Sequence, residues 1–270
     1  MALSEVAQGF LDLHQGDAPL LIPNPWDAGS ARLLASLGFQ ALATTSSGFA
    51  ATLGRLDGEV TRDEALAHAA ALVAAVDLPV SADLEHGFAD EPDAVAETVR
   101  LAAATGLAGC SIEDSTKRPD DPIYDMGVAV DRVRAAVDAA HAGSAGIVLT
   151  ARAENLLHGR DLADTIARLQ AFEAAGADVV FAPGLRAIDD VRAVVASVGV
   201  PVNVLAFPGG PGVAELAAAG VARISVGGTL AYTALGAVVE AARALREGGT
   251  IGDGQLADVG RRAFRAAVAE

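Results

Sequence analysis

The sequence predicts a (β/α)8 barrel, and three observations carry that reading. Eight short apolar runs rich in Val, Ile and Leu recur along the chain, and a helix pattern follows each of them. Strands alternating with helices describe parallel βαβ units, and 270 residues is close to the ~250 typical of eight such units closed into a barrel. No Ser-, Pro- or Gly-rich linker divides the chain, so residues 1–270 are read as one barrel domain with a C-terminal helical tail. A doubly wound open sheet is the alternative topology for the same pattern.

The chain opens on a helix pattern from Ser4 to about Gln15, with Val6, Phe10, Leu11 and Leu13 on one side. Leu20-Leu21-Ile22 is the first strand, ended by Pro23-Asn24-Pro25, and Ala28–Leu37 is a helix that Gly38 stops. Ala41–Thr44 is the second strand. Thr45-Ser46-Ser47-Gly48 after it reads as a turn that opens a longer loop holding Asp57 and Gly58. Thr61, with Glu64 three residues on, forms a capping box for a helix to about Val76, and Pro79–Ala82 is the third strand. Glu91-Pro92-Asp93 opens a helix to about Thr105, before a fourth strand, Ala108–Ile112, that ends at Glu113-Asp114. A polar loop from Ser115 to Asp125 leads to a helix over Val128–Ala140. Ile147–Thr150 is the fifth strand, ending at Arg152 and Glu154. Leu162–Ala175 is helical and Asp178–Phe181 is the sixth strand. A helix from about Ile188 precedes the seventh, Pro201–Leu205, and a short one over Val213–Ala219 precedes the eighth, Arg223–Val226. Gly227-Gly228-Thr229 leads into a final helical region. The less regular tail after about Glu247 is of a kind that packs on a neighbouring subunit.

Composition narrows the function. A hydrophobic content of 52% supports a large core, and a net charge of −16 gives no positive field to gather nucleic acid or an anionic membrane. A small anionic substrate remains compatible, because a few placed arginines or a metal ion reverse the field locally. Cys110 stands alone, so no internal disulfide forms. The N-terminus lacks the basic-then-apolar order of a signal peptide, and no apolar run reaches membrane-spanning length. The expectation is a cytoplasmic protein with no membrane partner.

The site is read from Pro79-Val80-Ser81-Ala82-Asp83-Leu84-Glu85-His86-Gly87, a buried strand ending in two carboxylates. In a barrel the carboxyl ends of all strands converge on one mouth. Those ends carry Trp26 and Asp27, Ser46, Ser47 and Gly48, Asp83 and Glu85, Glu113, Arg152 and Glu154, and Asn203. Hard oxygen donors with no His/Cys cluster suit Mg²⁺ or Mn²⁺. Mg²⁺ keeps several waters and takes one or two carboxylates directly, which gives Asp83 the inner position and leaves Glu85 and Glu113 to act through water. Arg152 is a planar donor for a substrate carboxylate, and Ser46-Ser47-Gly48 offers an anion-binding nest. The set fits a 2-oxo or 2-hydroxy acid. Each member also has a plainer reading: Asp83 or Glu85 as a cap, Arg152 as the partner of Glu154 or Glu113, Ser46-Ser47-Gly48 as a simple turn, Asn203 as a backbone partner. His86 and His158 lie on site-side loops, and Cys110 reads as a packed core thiol.

Taken together, Ser46-Ser47-Gly48, Asp57-Gly58, Asp83-x-Glu85-x-Gly87, Glu113-Asp114, Ala151-Arg152-x-Glu154, Pro201-x-Asn203 and Arg223-Ile224-Ser225-x-Gly227 resemble the isocitrate lyase/phosphoenolpyruvate mutase superfamily. The resemblance runs from about Ile22 to Ala244 and is nearest the smaller, phosphonomutase-like branch. It implies an Mg²⁺-dependent enzyme that makes or breaks a C–C or P–C bond beside a 2-oxo acid through an enolate-like intermediate. It implies that Asp83 ligates the metal, that Glu85 and Glu113 support it through water, and that Ser46, Ser47 and Gly48 bind the pyruvyl carboxylate; Trp26 and Asn203, from their strand-end positions, are further substrate-binding candidates. Arg152 stabilises the reacting oxygen, and Asp57, Glu113 and Lys117 join it as catalytic candidates. A helix-swapped barrel assembled as a dimer of dimers, the last helix packed on the neighbour, is implied too. Ser115-Thr116-Lys117-Arg118-Pro119-Asp120-Asp121-Pro122 has neither the cysteine of the isocitrate and methylisocitrate lyase lid nor the asparagine of the mutase lid. Glu85 stands where aspartate is common. The reading is therefore a metal-dependent carbon–carbon lyase, with a phosphonomutase or phosphonopyruvate hydrolase as the alternative.

Overall fold

A computed structural model describes residues 3–143, 145–251 and 254–269. Helix α1 (Glu5–Asp12), capped by the Ser4 hydroxyl, leads through a 3-10 turn at Leu13–Gln15 into β1 (Leu20–Ile22). Helix α2 (Ala28–Ser36) starts at an Asp27/Ser30 capping box and is followed by β2 (Leu42–Ala43), α3 (Ser46–Thr52) and α4 (Arg62–Val73). Then come β3 (Val80–Asp83), α5 (Pro92–Ala103), β4 (Gly109–Glu113), a hairpin of β5 (Ser115–Arg118) and β6 (Asp121–Ile123), and α6 (Met126–Ala140). β7 (Val148–Arg152), a 3-10 turn at Asn155–His158, α7 (Leu162–Ala174), β8 (Val179–Phe181), α8 (Ile188–Ser197) and β9 (Val202–Leu205) follow. The chain ends with α9 (Val213–Ala218), β10 (Arg223–Ser225), α10 (Thr229–Gly248) and α11 (Gln255–Ala267).

Eight strands form one parallel sheet in the order β1-β10-β9-β8-β7-β4-β3-β2. The Ala43 N–H donates to the Pro23 carbonyl at 3.1 Å and closes the ring. This is the predicted (β/α)8 barrel. Alternation along the strands divides the core in two. Leu42, Val80, Cys110, Leu149, Val180 and Val204 face out into a large cluster under the helices. Leu20, Ile22, Val148 and Val179 form a smaller cluster with Ala7 and Phe10 of α1, which plugs the amino-terminal end of the barrel. Gly109 lets that plug seat: a Cβ there would stand 2.8 Å from the Val148 carbonyl and 3.1 Å from the Phe10 ring.

Two expectations are corrected. Ser46-Ser47-Gly48 is not a turn but the first turn of α3, because the Thr45 hydroxyl accepts from the Gly48 N–H and caps a helix there. Residues 115–123 are not a loop but an antiparallel hairpin, with Ser115 opposite Ile123 and Arg118 opposite Asp121. The last helix, α11, lies along α2, with Phe264 against Gly29. Helix α10 has little cover within the chain. Only Ala231 of its residues is buried, and Tyr232, Leu235, Val238 and Val239 are exposed. No helix of the described residues is long and apolar enough to cross a membrane.

Candidate active site

The carboxyl ends of the strands open on a cavity of about 210 Å³ lined by Asn24, Thr44, Ser46, Ser47, Asp57, Asp83, Arg152, Phe181 and Asn203, among others. Asn24, which the sequence reading passed over, fastens this end of the barrel. Its side chain donates to the Thr44 carbonyl at 2.9 Å and accepts from the Val226 and Gly227 N–H groups at 2.9 and 2.8 Å. An asparagine between two prolines at a strand end was the available signal.

Asp83 ends β3 with its own N–H bonded to the Thr44 hydroxyl at 2.8 Å. One carboxylate oxygen accepts from the Ser46 N–H at 3.3 Å and the other from the Glu85 N–H at 3.2 Å. Burial pushes this carboxyl up, but Arg152, 3.7 Å away, those two N–H donors and Lys117 outweigh it, so it lies below the usual range and is ionised at neutral pH. Arg152 Nη1 also lies 3.4 Å from Glu113, its Nε bonds Glu154, and its guanidinium stands 5.2 Å over the Phe181 ring. Beside them Lys117 Nζ bridges Glu85 at 2.9 Å and Glu113 at 2.7 Å, both of which are only 3% exposed. Glu85 and Lys117 each adopt positive φ, 49° and 58°, a strained backbone that side chains other than glycine rarely take.

Among the described residues Asp83, Glu85, Glu113 and Glu154 pair with Arg152 and Lys117, so with all four ionised the cluster is two positive charges short. Burial first, then the neighbouring carboxylates, push Glu85 and Glu154 up to about 7 despite their cationic partners. A divalent cation fits this donor set. Among the described residues no group of three or more His, Cys, Asp or Glu side chains is arranged as a metal cage.

A pH dependence follows. The Glu85 carboxyl is raised in the folded state above its ordinary 4.5, so its protonated form favours folding below that value and the benefit is lost as pH rises through about 7. Without metal, the stability gap between Glu85→Gln and wild type should widen from near zero at acid pH to on the order of 3 kcal/mol above pH 8. Urea unfolding across that range checks it; a gap that does not change with pH contradicts it.

The structure places the expected residues unevenly. Asp83, Arg152, Ser46, Ser47 and Asn203 line the cavity, and Asp57 stands exposed at its rim. Glu85, Glu113 and Lys117 sit together behind Asp83. Trp26 is not on the cavity wall; its carbonyl bonds His68 Nε2 at 3.1 Å and its N–H bonds Ser30. Gly48 is also off the wall, and its N–H is taken by Thr45, so its packing role is to let α3 pass Trp26 and Ala231. His86 is half-buried with its Nδ1 unpartnered, and burial holds it below its usual range, while Cys110 is a buried core thiol pushed up to about 12.

A family model described as phosphoenolpyruvate phosphomutase matches residues 10–246. The chain belongs to this family. A crystal structure of a candidate lyase/mutase from Burkholderia cenocepacia J2315 is 53% identical, covers 98% of this chain and 96% of that one, and superposes with a TM-score of 0.93. The 2-methylisocitrate lyase of Escherichia coli K12 is 32% identical over 222 residues, 78% of this chain and 74% of the enzyme. A structure of oxaloacetate acetylhydrolase in complex with the product oxalate is 27% identical, with a TM-score of 0.85, covering 97% of this chain and 95% of that one.

Proposed function

We propose that this protein is an Mg²⁺-dependent lyase that cleaves the C–C bond beside the carboxylate-bearing carbon of a small 2-oxo or 2-hydroxy acid. The observation that carries the proposal is the ionised Asp83 beside Arg152 in an acid cluster two charges short of neutral. Asp83 would hold the ion, with Glu85 and Glu113 bonding its waters. When bound, the ion supplies Lewis-acid stabilisation of negative charge on the 2-oxygen. Ser46 and Ser47, which line the cavity at the start of α3, bind and orient the substrate carboxylate. Arg152, fixed by Glu154 and by the Phe181 face, donates to the oxygen on which charge builds. Glu154, poised near neutral, can take a hydroxyl proton. Lys117, presented by the β5–β6 hairpin, places that hairpin over the acids and excludes water.

A 2-methylisocitrate lyase and an oxaloacetate acetylhydrolase among the relatives named above support the C–C reading, and the phosphomutase description of the family keeps P–C chemistry as the alternative. The test is turnover with Mg²⁺ of branched 2-hydroxy diacids and oxaloacetate, read as 2-oxo acid or oxalate release, against phosphonopyruvate. Release from a diacid supports the reading; turnover of phosphonopyruvate alone replaces it with P–C chemistry.

We also propose that the protein is a homo-oligomer: Leu235→Glu with Val239→Glu on the exposed face of α10 should dissociate it in sedimentation. A wild-type monomer contradicts this.

A further inference from the structure

We propose that the barrel interior beneath the mouth holds a second subsite, built on Arg223, that takes a compact monoanion, either a carboxylate group or a halide. Arg223 opens β10 and is 5% exposed, in the interior layer below Ser225. One Nη donates to His14 Nε2 at 3.3 Å and the other to the Thr150 hydroxyl at 3.1 Å, while Nε has no partner. His14 Nδ1 faces the Phe10 and Leu11 carbonyls at 3.0 and 3.2 Å, so that nitrogen carries the proton and Nε2 is the acceptor. Burial and the neighbouring guanidinium push His14 down to about 3, so it is neutral. Both partners of Arg223 are therefore uncharged. Among the described residues no carboxylate pairs with it, in contrast to Arg152 and Arg168, and burial is the sole cause that draws its own affinity for the proton down. A buried charge without a counter-charge is costly, and proteins ordinarily pair it.

Space for the missing anion is present. Arg223 lines the same cavity as the mouth, together with Ser81, Ser111, Asn203 and Ser225. Barrel interiors at this depth are ordinarily filled with branched apolar side chains. Here hydroxyls and an amide surround a guanidinium, above the apolar plug of Phe10, Leu20 and Val148. Asn203, whose Oδ1 is also unpartnered, is the cross-strand neighbour of Arg223. Thr150 lies two residues before Arg152 on β7, so the floor is one interior layer, about 6.6 Å, below the reacting mouth. The second carboxylate of a four-carbon diacid can span that step, and a free halide can occupy it in the absence of one. The acids of the mouth are already engaged with Arg152 and Lys117 and do not neutralise the floor. Occupation by a halide does not depend on the lyase reading, whereas occupation by a substrate carboxylate rests on it.

Crystals of the wild-type protein soaked in sodium bromide, with data collected at the bromine edge, test this directly. The expected result is an anomalous peak within hydrogen-bonding distance of the Arg223 guanidinium. Loss of the peak when a four-carbon diacid is added assigns the subsite to the substrate's second carboxylate; its persistence assigns it to a halide. No bromine peak at Arg223 overturns the proposal. In solution, bromide in place of the bulky sulfonate of HEPES at constant sodium should raise the unfolding midpoint of the wild type by a few degrees, by mass action. Asn203→Asp, which sets a carboxylate beside the guanidinium, should abolish that rise. An equal rise in both proteins also overturns the proposal.

Discussion

Asp83→Ala is expected to lower kcat/KM on the proposed substrate by on the order of 10³ and to abolish stabilisation by Mg²⁺ with oxalate. The size follows from what the residue does. It is held ionised at neutral pH against its own burial, and it lines the cavity. Losing a preorganised charge aimed at the reacting atoms typically costs 10²–10³ in rate, and here the metal would go with it. In wild type, a ligand that binds only the folded protein raises the midpoint by mass action. Asp83→Ala also removes the acceptor for the Ser46 and Glu85 N–H groups, so part of any instability is structural. Asp83→Asn retains an acceptor and separates the two: it should keep most of the fold and still lose the Mg²⁺-oxalate shift. A full shift in both variants would place the metal elsewhere and sink the site.

The sequence made the barrel legible because each strand was an apolar run bounded by punctuation, and each carboxyl end carried polar residues of the kind a mouth needs. Asp83, Arg152 and Asn203 could be assigned to one site on that ground alone, since parallel strands bring their ends together whatever lies between. Other features depended on contacts no local pattern reveals. The helix α3 was hidden because Ser46-Ser47-Gly48 has turn composition; it forms because Thr45 caps it and Asp83 accepts from Ser46, a bond spanning 37 positions. The hairpin was hidden because its strands are polar and too short to show alternation. It is held by the pairing of Arg118 with Asp121 and by Lys117 reaching down to Glu85 and Glu113. Trp26 stands off the cavity wall for a related reason. Position just after a strand end does not fix side-chain direction, and the neighbouring Asn24 is the residue that faces the cavity.

Arg168→Met should destabilise the protein by about 3–5 kcal/mol, larger than any surface change and of the size expected when one member of a buried ion pair is removed. Arg168, 2% exposed on α7, lies 3.0 Å from Asp114 and also donates to the Tyr124 carbonyl at 3.0 Å. The second Asp114 oxygen accepts from the Glu154 N–H at 2.7 Å, and the Tyr124 N–H bonds the Asp114 carbonyl at 3.0 Å. One ion pair therefore joins the end of β4, the root of the hairpin and the residue that orients Arg152. Burial pushes Asp114 up even with the arginine present; without it, this carboxyl must either stay charged and unpaired or take up a proton. Protonation limits the loss at low pH, so the destabilisation should grow from pH 5 to pH 8. In a chain of this length, 3–5 kcal/mol lowers the midpoint by on the order of 10 °C. Asp114→Asn combined with Arg168→Met should recover part of the stability, since the stranded charge is then absent, yet it should not recover activity, because the hairpin and Glu154 lose their common anchor. Urea midpoints for the two singles and the double give the coupling. Additive losses would show that the pair does not act as one unit, and full activity in the double variant would free the hairpin and Glu154 from this anchor.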